Sequence, residues 1–214
     1  MIAVHMVTLG EFAADLVDAL PKSWREQRTT DSESAARPDL WPTARLQIVI
    51  TQREDARLFE IMDESAFNLQ RPWVPVVMEP RSIRVGPQIV PGVGACYACF
   101  VRRQYQHGRR TTTDRELAAL SDRSGATEQR GYLPAHISAT GQLLRSLAAP
   151  LLSVGPPRDH GRLFRLGFAE LSVNESAVIA IHGCGRCGRA DDGEQTWRSL
   201  EQLTSKVKAM RWAF

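Results

Sequence analysis

Four cysteines, arranged in two pairs of equal spacing, are the residues of this sequence whose type and pattern could do chemistry. Cys96 and Cys99 form one CxxC pair, and Cys184 and Cys187 form the second; each pair is called a knuckle below. Two residues between ligands let one turn of the chain direct both sulfurs at the same ion, and four thiolates suit tetrahedral zinc. The sequence therefore predicts a structural Zn²⁺ site with knuckles at 96–99 and 184–187.

The separation of the two knuckles decides what kind of site they form. Eighty-four residues lie between Cys99 and Cys184, whereas a zinc ribbon has about 15–20. The metal would thus join distant parts of one fold, and closing so long a loop restricts the unfolded chain. The alternatives are two unrelated cysteine pairs, a thioredoxin-like redox role for Cys96 and Cys99, and a catalytic zinc. Four protein thiolates leave no position for water or substrate, which argues against catalysis by the metal.

Hydrophobic periodicity predicts the elements that must position these cysteines. The order strand, helix, strand, helix, strand before the first knuckle argues for a parallel sheet with crossover helices. The predicted fold class is α/β, with a mostly parallel sheet flanked by helices and a C-terminal antiparallel portion. Strands are predicted at 2–7, 46–50, 73–78, 83–85, 163–168 and 177–181, helices at 12–20, 58–69, 135–153 and 194–210, and exposed polar loops at 22–45 and 107–134.

Composition narrows the class of protein. With 214 residues, 43% of them hydrophobic, the chain is long enough for one domain with a sizeable core. The net charge of +3 is small for a dedicated nucleic-acid-binding protein. No apolar run reaches the roughly 18 residues that a membrane span needs, and acidic residues interrupt the N-terminal segment where a signal peptide would be apolar. We therefore expect a cytoplasmic location, where metal binding explains paired cysteines better than disulfides do.

A family resemblance rests on the residues around the first knuckle. The segment Arg84–Gly92, followed by Gly94–Cys99, and the late Cys184–Cys187 resemble the ThiF/MoeB-like fold of ubiquitin-activating-type adenylating enzymes. More narrowly, they resemble the branch that partners YcaO-type proteins in cyclodehydratases, which form azoline rings in ribosomal peptide natural products. The resemblance implies one ThiF-like domain over 1–214 and a YcaO-type partner that uses ATP. This chain would then be a non-catalytic scaffold that presents the precursor peptide, activates that partner, or does both.

The turn after the first predicted strand departs from the family pattern. Adenylating relatives hold phosphates there with a glycine-rich loop and a helix end, whereas this chain has Thr8-Leu9-Gly10-Glu11-Phe12. Glu11 places a negative charge where a phosphate would lie, and Thr51 and Gln52 rather than an acidic residue follow the second predicted sheet strand. The nucleotide-site half, 1–90, is therefore predicted to be degenerate, so we do not expect this chain to bind ATP. The alternative is an active adenylating enzyme with an unusual phosphate loop.

Arginines after the first knuckle are the candidate contacts for a peptide or a partner. Arg102, Arg103, Arg109 and Arg110 could hold an acidic leader peptide. The same residues fit an ordinary solvated surface, or a zinc-containing nucleic-acid-binding protein, although Asp114 and later acidic residues weaken that last reading. Relatives often bind the leader with a separate winged-helix module that adds it to a sheet edge. Here we expect another subunit or an exposed edge strand to serve, with a homodimer as a further option.

Three histidines are further candidate site residues. His5 is expected to be a satisfied core or strand-end residue, and His136 to lie on the surface at the start of its helix. His182, two residues before Cys184, fits equally well a group that supports the zinc ligands and an exposed turn. No spacing singles out a nucleophile with its base.

Overall fold

A computed structural model describes residues 2–108, 131–153 and 160–187. The predicted C-terminal helix over 194–210 and most of the predicted loop over 107–134 lie outside these residues. The strands are β1 (Ile2–Leu9), β2 (Arg28–Thr29), β3 (Ala44–Thr51), β4 (Trp73–Glu79), β5 (Ser82–Val85), β6 (Arg162–Gly167) and β7 (Val173–Ala177). The helices are α1 (Glu11–Asp18), α2 (Ser32–Ala35), α3 (Ala56–Asn68), α4 (Tyr97–Gln106) and α5 (Pro134–Leu152).

The strands of the described residues form one seven-stranded sheet in the order β2-β1-β3-β4-β5-β6-β7. β1 pairs in parallel with β2 and β3, and β3 pairs in parallel with β4. The pairs β4–β5, β5–β6 and β6–β7 are antiparallel. Helices connect the parallel strands, but only Pro80 and Arg81 separate β4 from β5, too short a link for a parallel crossover. The predicted α/β class with a C-terminal antiparallel portion is confirmed.

Helices cover both faces of the sheet. Successive side chains of a strand point to opposite faces, so strands such as β1 and β3 contribute to both hydrophobic cores. Val4 and Met6 of β1 belong to the core under α1 and α5, whereas Val7 belongs to the core under α3 and α4. The same alternation places Ile48 of β3 in the first core and Val49 in the second. Both knuckles adjoin the second core. No helix of the described residues is long and apolar enough to cross a membrane.

The prediction of an exposed loop over 22–45 needs correction. Short 3-10 helices at Lys22–Trp24 and Pro38–Leu40 flank β2 and α2. The side chains of Trp24 and Trp41 are buried, and the Trp41 indole N–H donates to the carbonyl of Ser34 at 3.0 Å. Burial of two large aromatic side chains fixes a segment whose average composition is polar.

Two other sequence predictions differ from the structure. The sequence predicts the last strand at 177–181, whereas β7 covers Val173–Ala177, all of it exposed, so its residues lack the apolar pattern on which the prediction rests. The apolar residues that suggested the strand follow it and pack near the knuckles. His136 was expected on the surface, yet it is buried. Its Nδ1 accepts the backbone N–H of Leu133 at 2.9 Å, and its Nε2 lies 3.2 Å from the carbonyl of Phe168, so it joins the start of α5 to the end of β6.

The burial of His5 predicts how the stability of the protein depends on pH. His5 is 1% exposed, its Nε2 lies 3.1 Å from Oγ1 of Thr29, and burial lowers its pKa to about 4. Between the ordinary value of 6.5 and about 4, the unfolded chain takes up a proton that the folded chain does not, so stability falls as pH decreases. We expect this residue to add a slope of up to about 1.4 kcal/mol per pH unit to the free energy of unfolding, and His5→Gln to remove it.

The measurement is urea unfolding of both proteins at pH 7, 6 and 5. Titration of all other groups is common to the two proteins, so the difference in slope isolates His5. Equal slopes would contradict the assignment of a neutral, buried imidazole.

Candidate metal centre

The first knuckle lies at the amino-terminal end of α4. Cys96 is the residue that caps the helix, and Cys99 lies in the first turn, with their Sγ atoms 3.8 Å apart. The helix is fixed because Tyr97 and Phe100 bury their rings, and Tyr97 meets Phe59 of α3 edge-on at 5.4 Å between ring centres. Unpaired N–H groups at a helix start favour negative charge, which suits two thiolates.

The second knuckle is a turn that follows β7. Cys184 donates its backbone N–H to the carbonyl of Ile181 at 3.1 Å. Ile181 donates its own N–H to Sγ of Cys99 at 3.3 Å, so the segment leading to the second knuckle already bonds the first. Val178 and Ala180 pack against the buried cysteines. The apolar run after β7 therefore lines the metal site.

The four sulfurs form a cluster of the size that one tetrahedral ion needs. All four Sγ atoms lie within 4.8 Å of one another. Between the knuckles, Sγ of Cys96 is 3.7 Å from that of Cys184, and Sγ of Cys99 is 3.4 Å from that of Cys187. Zinc–sulfur bonds of about 2.3 Å give a regular tetrahedron with edges of about 3.8 Å. The free cysteines fit such a dication; zinc binding by Cys96, Cys99, Cys184 and Cys187 stays a prediction.

The thiols of this cluster have unequal pKa values. Burial raises the pKa of Cys96 above its ordinary value and raises the pKa of Cys187 to about 11. Burial acts in the same direction at Cys184, but the backbone N–H groups of Cys187 and Arg186, with the neighbouring thiols, lower its pKa to about 6. Thiols that remain protonated must lose their protons to a bound dication, so metal affinity decreases as the pH decreases.

A buried carboxylate joins the two knuckles. Asp63 of α3 is 1% exposed, and its Oδ1 accepts the backbone N–H of Tyr97, the residue after Cys96, at 3.1 Å. Its Oδ2 accepts Nη1 of Arg186, inside the second knuckle, at 2.8 Å. The same contact raises the pKa of Arg186, although partial burial opposes it. One side chain thus holds both knuckles, and the guanidinium offsets negative charge beside the thiolates.

Sequence reasoning missed Asp63, although the sequence contains a signal for it. Phe59, Met62 and Ala66 define the buried face of α3, and Asp63 falls on that face. An acidic residue on an apolar helix face is buried only when it is paired. Its partner could not be read from the pattern, because Arg186 is 123 residues away.

A second buried polar group ties the first knuckle to the sheet. Arg84 of β5 is 0% exposed, and its guanidinium donates to Oε1 of Glu79 at 2.9 Å and to Oε2 of Glu54 at 3.1 Å. The Tyr97 hydroxyl donates to Glu54 and lies 3.3 Å from Nη2 of Arg84, whose Cζ is 4.7 Å from the centre of the Phe100 ring. Burial would lower the pKa of Arg84, but Tyr97 and the two carboxylates raise it. The network fixes the start of α4 over the sheet.

The arginines predicted to contact a peptide or partner are not brought together as one surface in the described residues. Arg102 is exposed on α4, and Arg109 and Arg110 lie outside the described residues. Arg103 is half-buried and points its guanidinium at the carbonyls of Ile179 and Ala180, at 3.4 and 3.5 Å. Arg103 therefore supports the segment before the second knuckle.

His182 is exposed in the turn before Cys184. Of the two roles that the sequence allows, this position fits an exposed turn residue.

The turn after β1 contains one glycine, followed at once by an acidic residue, as the sequence predicts. Gly10 adopts a φ of 90° and is followed directly by Glu11 at the first position of α1. Leu9 of β1 lies beside Thr51 of β3, so both strand ends meet at this edge. The side chain of Gln52, 7% exposed, packs on Gly10, with Oε1 2.9 Å from where a Cβ on Gly10 would be. Gln52 thus occupies the space over the turn.

Solved structures share this architecture. The heterocyclase TruD matches with a TM-score of 0.62 over 87% of this chain, at 21% sequence identity. A heterocyclase in complex with substrate and cofactor matches with a TM-score of 0.60 over 87% of this chain, at 20% identity. E. coli MccB with AMPCPP and MccA matches with a TM-score of 0.58 over 86% of this chain, at 11% identity.

These matches confirm the expected ThiF-like fold. The chain spans 27% and 25% of the two heterocyclase chains and 66% of the MccB chain. No family model and no curated protein matches the sequence. The likeness therefore establishes the fold, and activity, substrate and partners are matters for proposal.

The sulfur geometry predicts the metal content of the purified protein. We expect close to one zinc per chain, and Cys184→Ser to lower both the zinc content and the unfolding midpoint, because three thiolates close the site incompletely. Plasma emission spectrometry and thermal unfolding, with and without a chelator, measure both quantities. A wild-type protein that is metal-free and equally stable with and without added zinc would contradict the site.

The double contact of Asp63 predicts a role in metal affinity. In Asp63→Asn the amide oxygen can still accept from Tyr97, but the ion pair with Arg186 is lost. We expect zinc affinity to fall by about 10- to 100-fold, as for other groups that orient metal ligands. Competition for zinc between the protein and a chromophoric chelator measures this affinity. Glu60→Gln, an exposed change on the same helix, is the matched control. Unchanged affinity with reduced stability would assign Asp63 to the fold alone.

Proposed function

We propose that this chain is a non-catalytic scaffold subunit for azoline-ring formation on a ribosomal precursor peptide. In this role it presents the precursor, activates a YcaO-type cyclodehydratase, or does both. The observation that carries the proposal is the match of 87% of the chain to two heterocyclase structures. One of those was solved with substrate and cofactor, and MccB was solved with MccA, so proteins with this fold hold such molecules.

The proposed partner comes from the family resemblance, which implies a YcaO-type protein that uses ATP. The chain corresponds to 27% of the TruD chain, and the proposal concerns the part of such a protein that this chain matches. We place this assembly in the cytoplasm, where four closely packed cysteines stay reduced and available to a metal.

The turn after β1 argues that the chain itself does not use ATP. A phosphate site at a helix start needs open N–H groups and no opposing charge. Here Glu11 occupies the first position of α1, and Gln52 packs over Gly10. The second candidate function, an active adenylating enzyme, draws on MccB, which was solved with ATP. The loss of space and the added negative charge at this turn favour the scaffold.

The metal site fits a structural part in this function. We propose Zn²⁺ as its metal, bound by all four thiolates, with no coordination position left for chemistry. Its effect would be to fix the segment between β7 and Cys184 against α4. A nucleic-acid-binding function has less support, since Arg103 contacts backbone carbonyls of the chain itself.

The proposal predicts two outcomes for the purified chain. Added to the YcaO-type protein of the same genome, the precursor peptide and ATP, it should increase the rate of water loss from the peptide, because it brings peptide and enzyme together. Mass spectrometry of the peptide measures this loss. The chain alone should show no pyrophosphate exchange dependent on a carboxylate substrate.

Reactions without the chain, and with a chelator-treated chain, are the controls. Pyrophosphate exchange by the chain alone would establish the adenylating alternative. Ring formation at equal rates with and without the chain would remove the scaffold proposal.

A further inference from the structure

Among the residues that the structure describes, β7 is the last strand of the sheet, and its outer side is called the open edge below. It pairs with β6 on one side, and all five of its residues are exposed. At the opposite edge of the described sheet, β2 has two residues and offers little backbone for pairing. A sheet edge of this kind presents N–H and C=O groups that another strand can bond.

The hydrogen bonds at the two ends of β7 show which of its groups face outward. Gly167 donates to the carbonyl of Ser172 at 2.9 Å, and Val178 donates to the carbonyl of Gly161 at 2.8 Å. In an antiparallel pair, residues alternate between bonding the neighbouring strand and pointing the other way. Even-numbered residues of β7 therefore bond β6. The backbone groups of the odd-numbered residues, Val173, Glu175 and Ala177, point outward.

The edge lacks the usual protection against strand pairing. β7 contains neither lysine nor proline, and Glu175 is its one charged residue. The carboxylate of Glu175 accepts the Nε–H of Arg162 on β6 at 2.6 Å, and half of this side chain stays exposed. Exposed apolar side chains flank the strand, Leu171 at 49% and Ile179 at 73%, and Val173 within it is 49% exposed. Such an edge suits an extended segment with apolar side chains.

Charge decides between two occupants of this edge. If a second copy paired antiparallel in the longest register, two-fold symmetry would place Glu175 opposite its own counterpart, and like charges directly opposite are destabilising. An extended peptide with an uncharged or basic residue at that position has no such penalty. The charge pattern therefore favours a peptide over a second copy of the chain.

We propose that the outer edge of β7 binds the leader segment of the precursor peptide as an added antiparallel strand. The outward backbone groups of Val173, Glu175 and Ala177 supply the hydrogen bonds, and Val173 with Leu171 contacts apolar side chains of the peptide. The identity of the peptide rests on the proposed function, whereas the binding edge rests on the strand geometry.

The test compares two substitutions at one residue in the full chain. Glu175→Pro removes an outward N–H without removing a bond to β6, since proline is tolerated where its nitrogen faces away from the sheet. Glu175→Ala keeps that N–H and removes only the ion pair with Arg162. The probe is a fluorescein-labelled synthetic peptide with the leader sequence of the precursor used in the ring-formation assay, and binding is measured by fluorescence anisotropy.

We expect Glu175→Pro to weaken leader binding by about tenfold or more, the effect of losing one hydrogen bond and blocking close approach. Glu175→Ala should change it by less than about threefold. Both variants must keep wild-type metal content and cooperative unfolding, and Ala177→Pro replaces Glu175→Pro if the latter does not fold.

Three outcomes would overturn the proposal. Equal binding by wild type and Glu175→Pro would place the peptide elsewhere, while leaving the scaffold function intact. Equal weakening in Glu175→Ala and Glu175→Pro would assign recognition to the side chain. A wild-type dimer that Glu175→Pro makes monomeric would identify a second copy as the occupant. Failure of the scaffold function itself would appear separately, as ring formation that does not respond to the chain.

Discussion

The two bonds of the Asp63 carboxylate are the contact on which the metal centre depends. One oxygen holds the first turn of α4 and the other holds Arg186, so the positions of both knuckles are set from a single point on α3. A carboxylate that is 1% exposed has a large cost of desolvation, which only good hydrogen bonds and a charged partner offset. The knuckles supply both. The carboxylate and the two knuckles therefore stabilise one another in the folded state.

Tyr97 extends this dependence into the sheet. Its backbone N–H bonds Asp63, while its hydroxyl bonds Glu54 in the loop between β3 and α3. Glu54 shares the buried guanidinium of Arg84 with Glu79, whose pKa is lowered by Arg84 and Arg165 against the effect of burial. A continuous series of ion pairs and hydrogen bonds thus runs from Arg165 of β6 through Tyr97 to the second knuckle. Because breaking one buried pair leaves an uncompensated charge, such a series resists local distortion.

Sequence patterns predicted local structure and the pairing of the four cysteines as one cluster, but not the contacts that bring them together. The strands at 2–7, 46–50 and 73–78 follow from runs of buried apolar residues, and the knuckles follow from spacing. Arg84 and Asp63 carry no local sign of their partners. Arg84 pairs with Glu54, which is 30 residues away in the sequence. Glu79 pairs with Arg165 at a separation of 86 residues. Pairings at such distances depend on the assembled fold. The edge strand β7 escapes prediction for a different reason, since it is exposed and mostly polar, whereas the apolar run after it has the composition of a strand.

The metal centre and the open edge are neighbours along the chain, and this suggests how a structural metal serves a binding function. Three sets of hydrogen bonds hold the segment between Ala177 and Cys184. The N–H of Val178 donates to the carbonyl of Gly161, and the N–H of Ile181 donates to Sγ of Cys99. Arg103 donates to the carbonyls of residues 179 and 180. Within the part of the chain that the structure describes, all five residues of β7 are exposed, so little packing holds this strand. Binding an extended peptide requires that strand to be ordered beforehand, because an edge that orders only on binding weakens the affinity by its own loss of entropy. In the zinc-bound form that we propose, the metal would fix the second knuckle and so supply that order.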